Sequence, residues 1–165
     1  MNATVLPTIK LDFALAKIMV RGIPDCPGSA AAIFRELAQA DLFADTIIEN
    51  TDRSSVSTLI LTLPEAKRLR AYDLIQRALS RIGEGHILMH GPIAKLTVSG
   101  LEPGGQGQTA LQLFDALAAA GINIDLISTS EALTTVVVSV ERANEALDVA
   151  QRAFAVARDG GNQSR

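Results

Sequence analysis

The chain repeats itself at an interval close to 80 residues, and this duplication constrains its fold more than any other feature. The segment Lys-Ile-Met-Val-Arg-Gly at residues 17–22 returns as Lys-Leu-Thr-Val-Ser-Gly at residues 95–100. A segment with the apolar spacing of a helix at residues 30–40 returns at residues 110–120. The repeat therefore predicts two modules with the same architecture.

Each copy shows the same order of predicted elements. Residues 17–23 are apolar and β-branched, as in a strand, and an Asp-Cys-Pro-Gly turn then leads into a helix. Two strands, a second helix opening at Pro64 and a strand at residues 86–90 complete the order βαββαβ. The predicted fold class is α+β: two ferredoxin-like modules, each an antiparallel sheet with helices on one face. The predicted apolar stripe of the second helix is Leu69, Tyr72, Ile75, Leu79 and Ile82.

The second copy lacks its closing strand, which would leave an unpaired sheet edge. A spare strand-like segment at residues 4–10 precedes the first copy, and we expect it to complete the second module. The predicted modules are residues 13–91 and residues 3–12 with 92–157, followed by a disordered tail at residues 158–165.

The composition argues against several classes of protein. The net charge of −3 and 4% aromatic residues disfavour nucleic-acid binding. One cysteine and two histidines leave no evident pair of nucleophile and base, so we predict no catalytic residue, metal or cofactor. His86 and His90, four apart on a strand, are expected at the surface. No signal peptide or membrane span is evident, and the free Cys26 fits a cytoplasmic location.

Three segments resemble the paired ACT domains of aspartate kinase. They are Val-Arg-Gly-Ile-Pro-Asp-Cys-Pro-Gly at residues 20–28, the pair Glu49 and Asn50, and Gly-Ile-Asn-Ile-Asp-Leu-Ile-Ser-Thr-Ser-Glu at residues 121–131. The likeness covers residues 3 to about 157. The chain is too short to hold a kinase domain as well, so it resembles the separate regulatory β subunit of heteromeric aspartate kinases.

The resemblance implies a protein without activity of its own that binds an end-product amino acid, threonine or lysine, and controls a catalytic aspartate kinase subunit. Backbone amides at the start of a helix attract a carboxylate, and the turn before residue 29 offers them. By resemblance, the facing wall of the site comes from Asn123, Ile124 and Asp125 of a second module across a homodimer interface. The implied ligand-binding residues are Asp25, Cys26, Pro27, Gly28, Ser29, Ala30, Glu49, Asn50, Asn123, Ile124, Asp125 and Ser128.

Each of these features also has a purely structural interpretation. Residues 25–28 can form only a tight strand–helix turn, with Gly28 or Ser29 as N-cap, and Asn50 can cap a turn. Cys26 is more often a small buried or partly buried residue than a nucleophile. The apolar run Val136, Val137 and Val138 suggests a strand buried on both faces, and this burial supports the prediction of a dimer.

The chain departs from the pattern of the family at three places. After the turn at residues 51–55, it has Val56-Ser57-Thr58 where the family has the polar Thr-Thr-Asp. Residues 100–108 form a longer turn without the expected Ser-His-Pro-Gly, which questions any ligand contact there. Glu49 stands where the family usually has Gln, and its negative charge favours lysine over threonine.

One alternative function remains open, and a second one is disfavoured. A stand-alone tandem ACT sensor that regulates another protein would have the same sequence features. A ferredoxin-like carrier of RNA or metal needs exposed aromatic and basic residues or a Cys-x-x-Cys loop, and neither is present.

Overall fold

A computed structural model describes residues 7–53, 55–100 and 106–159. The strands are β1 (Thr8–Pro24), β2 (Thr46–Thr51), β3 (Val56–Pro64), β4 (His86–Ser99), β5 (Leu126–Thr129) and β6 (Leu133–Ser139). The helices are α1 (Ser29–Gln39), α2 (Arg68–Ile82), α3 (Gln106–Ala119) and α4 (Ala143–Asp159). Short 3-10 helices, Glu65–Lys67 and Val140–Arg142, precede α2 and α4.

The chain divides into two compact units. The first unit is Ala14–Pro92, and the second combines Met1–Phe13 with Ile93–Arg165. The long strands β1 and β4 contribute residues to both, so strand order is β2-β3-β1-β4 in the first unit and β1-β4-β6-β5 in the second. This architecture confirms the predicted pair of ferredoxin-like α+β modules.

Alternating side chains build the core of the first unit. β3 pairs antiparallel with both β1 and β2, which aligns Ile18 with Leu61 and Val20 with Leu59 on one face. These residues are almost fully buried against Ile33 of α1 and other apolar side chains of the two helices. Both helices therefore lie on one face of the sheet.

The N-terminal strand completes the second unit, as the sequence predicted. The Ser99 hydroxyl donates to the Thr8 carbonyl at 3.4 Å, and Ile9 and Leu11 pack against the apolar cluster of this unit. Residues 8–13 of β1 thus cover the edge of β4 that would otherwise be unpaired. The first six residues of the chain lie outside the described residues, and they include residues 4–6 of the predicted spare strand.

The structure corrects several local predictions. Leu69 is 67% exposed, because the buried face of α2 is formed by Ala71, Leu74, Ile75, Ala78 and Leu79. Pro64 does not open the second helix: it ends β3 in an extended conformation, and a 3-10 helix follows. The predicted long turn at residues 100–108 is shorter, since α3 begins at Gln106; residues 101–105 lie outside the described ranges. α4 continues through Asp159, two residues into the predicted tail, and residues 160–165 are not described.

The valine run of β6 is fully buried. Val136, Val137 and Val138 each have no exposed area within a single chain, so the prediction of a strand buried on both faces holds. Because one chain suffices to bury them, this run no longer argues for a dimer.

Arg142 connects two elements of the second unit. Its guanidinium donates to the carbonyls of Ala120 and Gly121, at 3.0 and 3.4 Å, and to the Glu145 carboxylate at 2.7 Å. The last bond lowers the pKa of Glu145 and raises the pKa of Arg142, with desolvation opposing both shifts. Since the pKa of Glu145 is lower in the folded chain, its contribution to stability is present at neutral pH and is lost as the pH falls through that value.

A buried carboxylate joins the two helices of the first unit. Glu36 of α1 is 7% exposed and forms ion pairs with Arg77, at 3.4 Å, and with Arg81 of α2. The repeat places Ala116 at the corresponding position of the second unit. There the helices are linked instead by the Gln112 amide, which donates to the Ala153 carbonyl at 2.8 Å.

We expect Glu36→Ala to lower the free energy of unfolding by about 2 kcal/mol, because it deletes hydrogen bonds to charged groups across the helix pair. The midpoint of urea unfolding, compared at unchanged slope, measures this loss. The matched control is Glu84→Ala, since Glu84 is exposed in the same unit and should change stability by less than about 0.5 kcal/mol. Equal shifts for both variants would contradict the role given to Glu36.

Candidate functional site

The turn at residues 25–28 is built by backbone hydrogen bonds. The Asp25 amide donates to the Ser55 carbonyl at 2.9 Å, which ties the turn to the start of β3. The Cys26 amide donates to the Pro24 carbonyl at 2.9 Å, and the Ser29 amide donates to the Cys26 carbonyl at 3.2 Å. These bonds fix the chain as it passes from β1 into α1.

Gly28 is the N-cap of α1, which decides between the two candidates that the sequence left open. Its φ of 104° lies in a region that L side chains rarely adopt, and no side chain caps the helix. Ser29 is the first helical residue and is 8% exposed. The Ala32 amide donates back to the Gly28 carbonyl at 2.8 Å, so Ala30 and Ala31 carry the other amides of the first turn.

The start of α1 carries no acidic residue in its first turn. The first amides of a helix lack intrahelical acceptors and give the terminus partial positive charge. An exposed turn of small residues therefore surrounds amides that attract an anion such as a carboxylate.

Cys26 is exposed, which corrects the expectation of a buried or partly buried cysteine. Its Sγ lies 3.1 Å from the Ser29 hydroxyl. The short turn places residue 26 on the outer side of the loop, while the following serine faces inward.

Glu49 and Asn50 lie at the same end of the first unit as this turn. β1 and β2 both pair antiparallel with β3, so their C-terminal ends meet at one end of the sheet. Glu49 is opposite Leu59, which faces the helices, whereas Asn50 is opposite Thr58 on the other face. The structure therefore brings Glu49, and not Asn50, to the side of the sheet where α1 begins.

Sequence reasoning missed other groups at this end of the unit. The hydroxyls of Thr51 and Ser57 lie 2.9 Å apart, and Ser57 is 1% exposed. His86 is exposed, as predicted, but it lies beside Gly22, where an added β-carbon would be 3.5 Å from Nδ1. The proximity of His86 and Gly22 depends on the pairing of distant strands, whereas Thr51 and Ser57 meet across the hairpin of β2 and β3, six residues apart.

The other predicted residues lie in the second unit. Asn123 and Asp125 are exposed, and the Asn123 amide donates to the Asp125 carboxylate at 3.3 Å. The Asp125 amide donates to the Val137 carbonyl at 2.8 Å, while Ile124 packs against the apolar cluster of its unit. Ser128 is half-buried on β5 and is paired with Thr135.

Strand direction separates the two halves of the predicted site within any one unit. In the first unit, the turn at residues 25–28 follows β1, whereas residues 43–45, which the repeat aligns with residues 123–125, precede β2. β1 and β2 run in the same direction, because both pair antiparallel with β3. The turn before the first helix and the segment before the second strand therefore lie at opposite ends of a unit. One unit alone does not bring these two segments together.

No metal centre is evident in the described part of the chain. None of its histidine, cysteine and carboxylate side chains form a group of three or more that could hold an ion. Among the helices that the structure describes, none is long and apolar enough to cross a membrane.

Two ferredoxin-like units with helices on one face have the architecture of paired ACT domains. A family profile of the ACT domain matches residues 96–154. The chain is 30% identical to the regulatory subunit of aspartate kinase from Thermus flavus, covers 99% of it over 92% of its own length, and superposes with a TM-score of 0.82. The ligand-free form of the Thermus thermophilus regulatory subunit gives 31% identity, 97% coverage of that subunit, 89% of this chain and a TM-score of 0.82.

Longer relatives extend the comparison. The aspartokinase of Mycolicibacterium smegmatis is 31% identical over 161 residues, which are 96% of this chain and 38% of that protein. The chain thus spans a little over a third of the length of the curated aspartokinases it matches. It belongs to the family of ACT-domain regulatory regions of aspartate kinase.

We expect Gly28→Ala to destabilise the chain by about 1–2 kcal/mol, because alanine is strained at this positive φ. An added β-carbon meets no atom within 4 Å, so the loss measures backbone strain alone. Gly83 in the same unit is the matched control, since its φ is 91° and its added β-carbon is equally free. Thermal denaturation of Gly28→Ala and Gly83→Ala should show similar losses, and an unchanged Gly28→Ala variant would contradict the N-cap geometry.

Proposed function

We propose that this chain is a non-catalytic regulatory subunit that binds an end-product amino acid, threonine or lysine, and allosterically controls a catalytic aspartate kinase. The observation that carries the proposal is the match to separate regulatory subunits over 97–99% of their length. A cytoplasmic location is part of the proposal, because the exposed thiol of Cys26 stays free under reducing conditions.

The geometry of the first unit supports amino-acid binding. A free amino acid needs a partner for its carboxylate and one for its ammonium group. The first-turn amides of α1, around Ser29 and Ala30, suit the carboxylate, with Gly28 leaving open space beside them. The carboxylate of Glu49, on the same side of the sheet, suits a cationic group.

The wall at residues 123–125 requires a second module, which we place in a second copy of the chain. Turn and wall lie at opposite ends of each unit, so one unit cannot supply both. In a homodimer, Asn123 and Asp125 of the partner copy would present an amide and a carboxylate to the ligand. A ligand held between two copies stabilises the arrangement of the copies in which both contact it. Such a bias between two arrangements is the requirement for allosteric control.

A thermal-shift screen of the twenty amino acids tests ligand binding. A ligand at 100 times its dissociation constant should add about 2.7 kcal/mol of stability. We expect a shift with lysine or threonine for the wild-type chain and for Gly83→Ala. Gly28→Ala should lose that shift, because its strained turn no longer presents the first amides of α1.

Two results would contradict the proposal. One is the lack of any stabilisation by the twenty amino acids. The other is an equal ligand response in Gly28→Ala and Gly83→Ala, which would place the ligand elsewhere. Addition of the chain to a purified catalytic aspartate kinase, with activity measured against amino-acid concentration, tests the regulatory part separately.

Glu49 is proposed to set the preference for lysine. Glu49 is exposed and lies on the face of the sheet that carries the helices, where its carboxylate would attract the second ammonium of lysine, which threonine lacks. We expect Glu49→Gln to weaken lysine binding by about tenfold and to leave threonine binding little changed. Isothermal titration calorimetry measures both affinities, with Glu141→Gln on an exposed position of the second unit as the charge-matched control. Tighter binding of threonine than of lysine by the wild-type chain would refute this role.

A further inference from the structure

One side of α2 carries a line of basic residues. Arg70, Arg77 and Arg81 are seven and four residues apart, so they share one helix stripe, and Lys67 of the preceding 3-10 helix lies about one turn before it. All four are exposed. We call this set the basic stripe.

The basic stripe borders a groove on the first unit. The groove has a volume of about 560 Å³ and includes the apolar side chains of Ala40 and Leu74. Its polar lining comes from Arg70, Asp73, Gln76 and Arg77. Leu69, at the start of the same helix, is 67% exposed.

Glu36 accounts for only part of this charge. Its carboxylate pairs with Arg77 and Arg81, yet their side chains remain 62% and 69% exposed, against 9% for Glu36. Positive charge therefore faces outward while the compensating negative charge is buried. Lys67 and Arg70 lie outside this cluster and add to the outward charge.

The repeat shows that the fold does not need a cation at every position of the basic stripe. Arg70 and Arg81 correspond to Glu145 and Val156, whereas Lys67 and Arg77 correspond to Arg142 and Arg152. Residues 65–82 hold five basic and two acidic residues, whereas the corresponding residues 140–157 hold two basic and three acidic. Both segments pack against their sheets through small apolar side chains such as Ala71 and Ala146. Because Arg70 lies outside the Glu36 cluster and corresponds to an acidic residue of the second unit, its charge is free to serve recognition.

We propose that the basic stripe and its groove dock an acidic segment of a protein, namely the catalytic aspartate kinase. This inference rests on the proposed function and names the surface of the regulatory subunit that the partner contacts. Complementary charge steers and orients such encounters. The apolar side chains of Ala40 and Leu74 in the groove and the exposed Leu69 favour a protein surface over a phosphate backbone.

The test measures binding of the purified catalytic aspartate kinase of the same organism to the immobilised full-length chain, by biolayer interferometry at low and high NaCl. We expect Arg70→Glu to weaken binding by about tenfold and to reduce its salt dependence. Arg70→Lys should bind nearly as the wild type at low salt. The control is Arg152→Glu, the same charge change on the outer side of α4, which should leave binding unchanged.

Several results would overturn the proposal. Wild-type affinity in Arg70→Glu, or an equal loss in Arg152→Glu, would show that this surface is not specific. Retention of duplex DNA or RNA by the wild-type chain, with loss in Arg70→Glu, would assign the stripe to nucleic acid. Failure of the wild-type chain to bind the kinase would overturn the docking surface and the proposed partner, while a thermal shift with lysine or threonine would leave the ligand-binding proposal standing.

Discussion

The structure depends on the pairing of the N-terminal strand with β4. Without residues 8–13, the second unit would have three strands and an open edge beside β4, with Ile9 and Leu11 missing from its apolar cluster. Because β1 then continues into the first unit, one strand serves the cores of both. The fold of each unit is thus tied to the presence of the other by covalent continuity within β1 and β4.

The duplicated units have the same architecture but have diverged in chemistry. In the first unit, Glu36 joins α1 to α2 by ion pairs, whereas an uncharged side chain of Gln112 bridges the helices of the second. The start of α1 has no side-chain cap and no acidic residue in its first turn, so its first amides are free to attract an anion. The second unit has a different sequence at the matching turn. Shared packing therefore tolerates different surfaces, and these surfaces carry the proposed ligand binding and docking.

Much of the fold was predictable because its signals are local. Two βαββαβ modules were predicted from the repeat and from the period of the apolar residues. The missing last strand of the second copy then indicated that the N-terminal segment completes it. The errors were also local in origin. The spacing of Leu69 fits the apolar stripe of a helix. In the structure, however, the buried face of α2 consists of alanines beside leucines and an isoleucine, and Leu69 points away from that face. Pro64 reads as a helix start, although β3 pairing extends to this residue.

The sequence by itself determined which elements form, since turn chemistry and apolar period are encoded by near neighbours, and its resemblance to a family proposed which residues bind an amino acid. Only the tertiary structure decided which of those residues meet. Register with β3 sends Glu49 towards α1 and Asn50 to the opposite face, and places the hydroxyls of Thr51 and Ser57 together. Strand direction keeps the turn at residues 25–28 away from any wall within its own unit. The register of β2 with β3 is set within one hairpin. The relative direction of β1 and β2 depends in addition on the pairing of β1 with β3, which are distant in sequence, and no local pattern specifies that pairing.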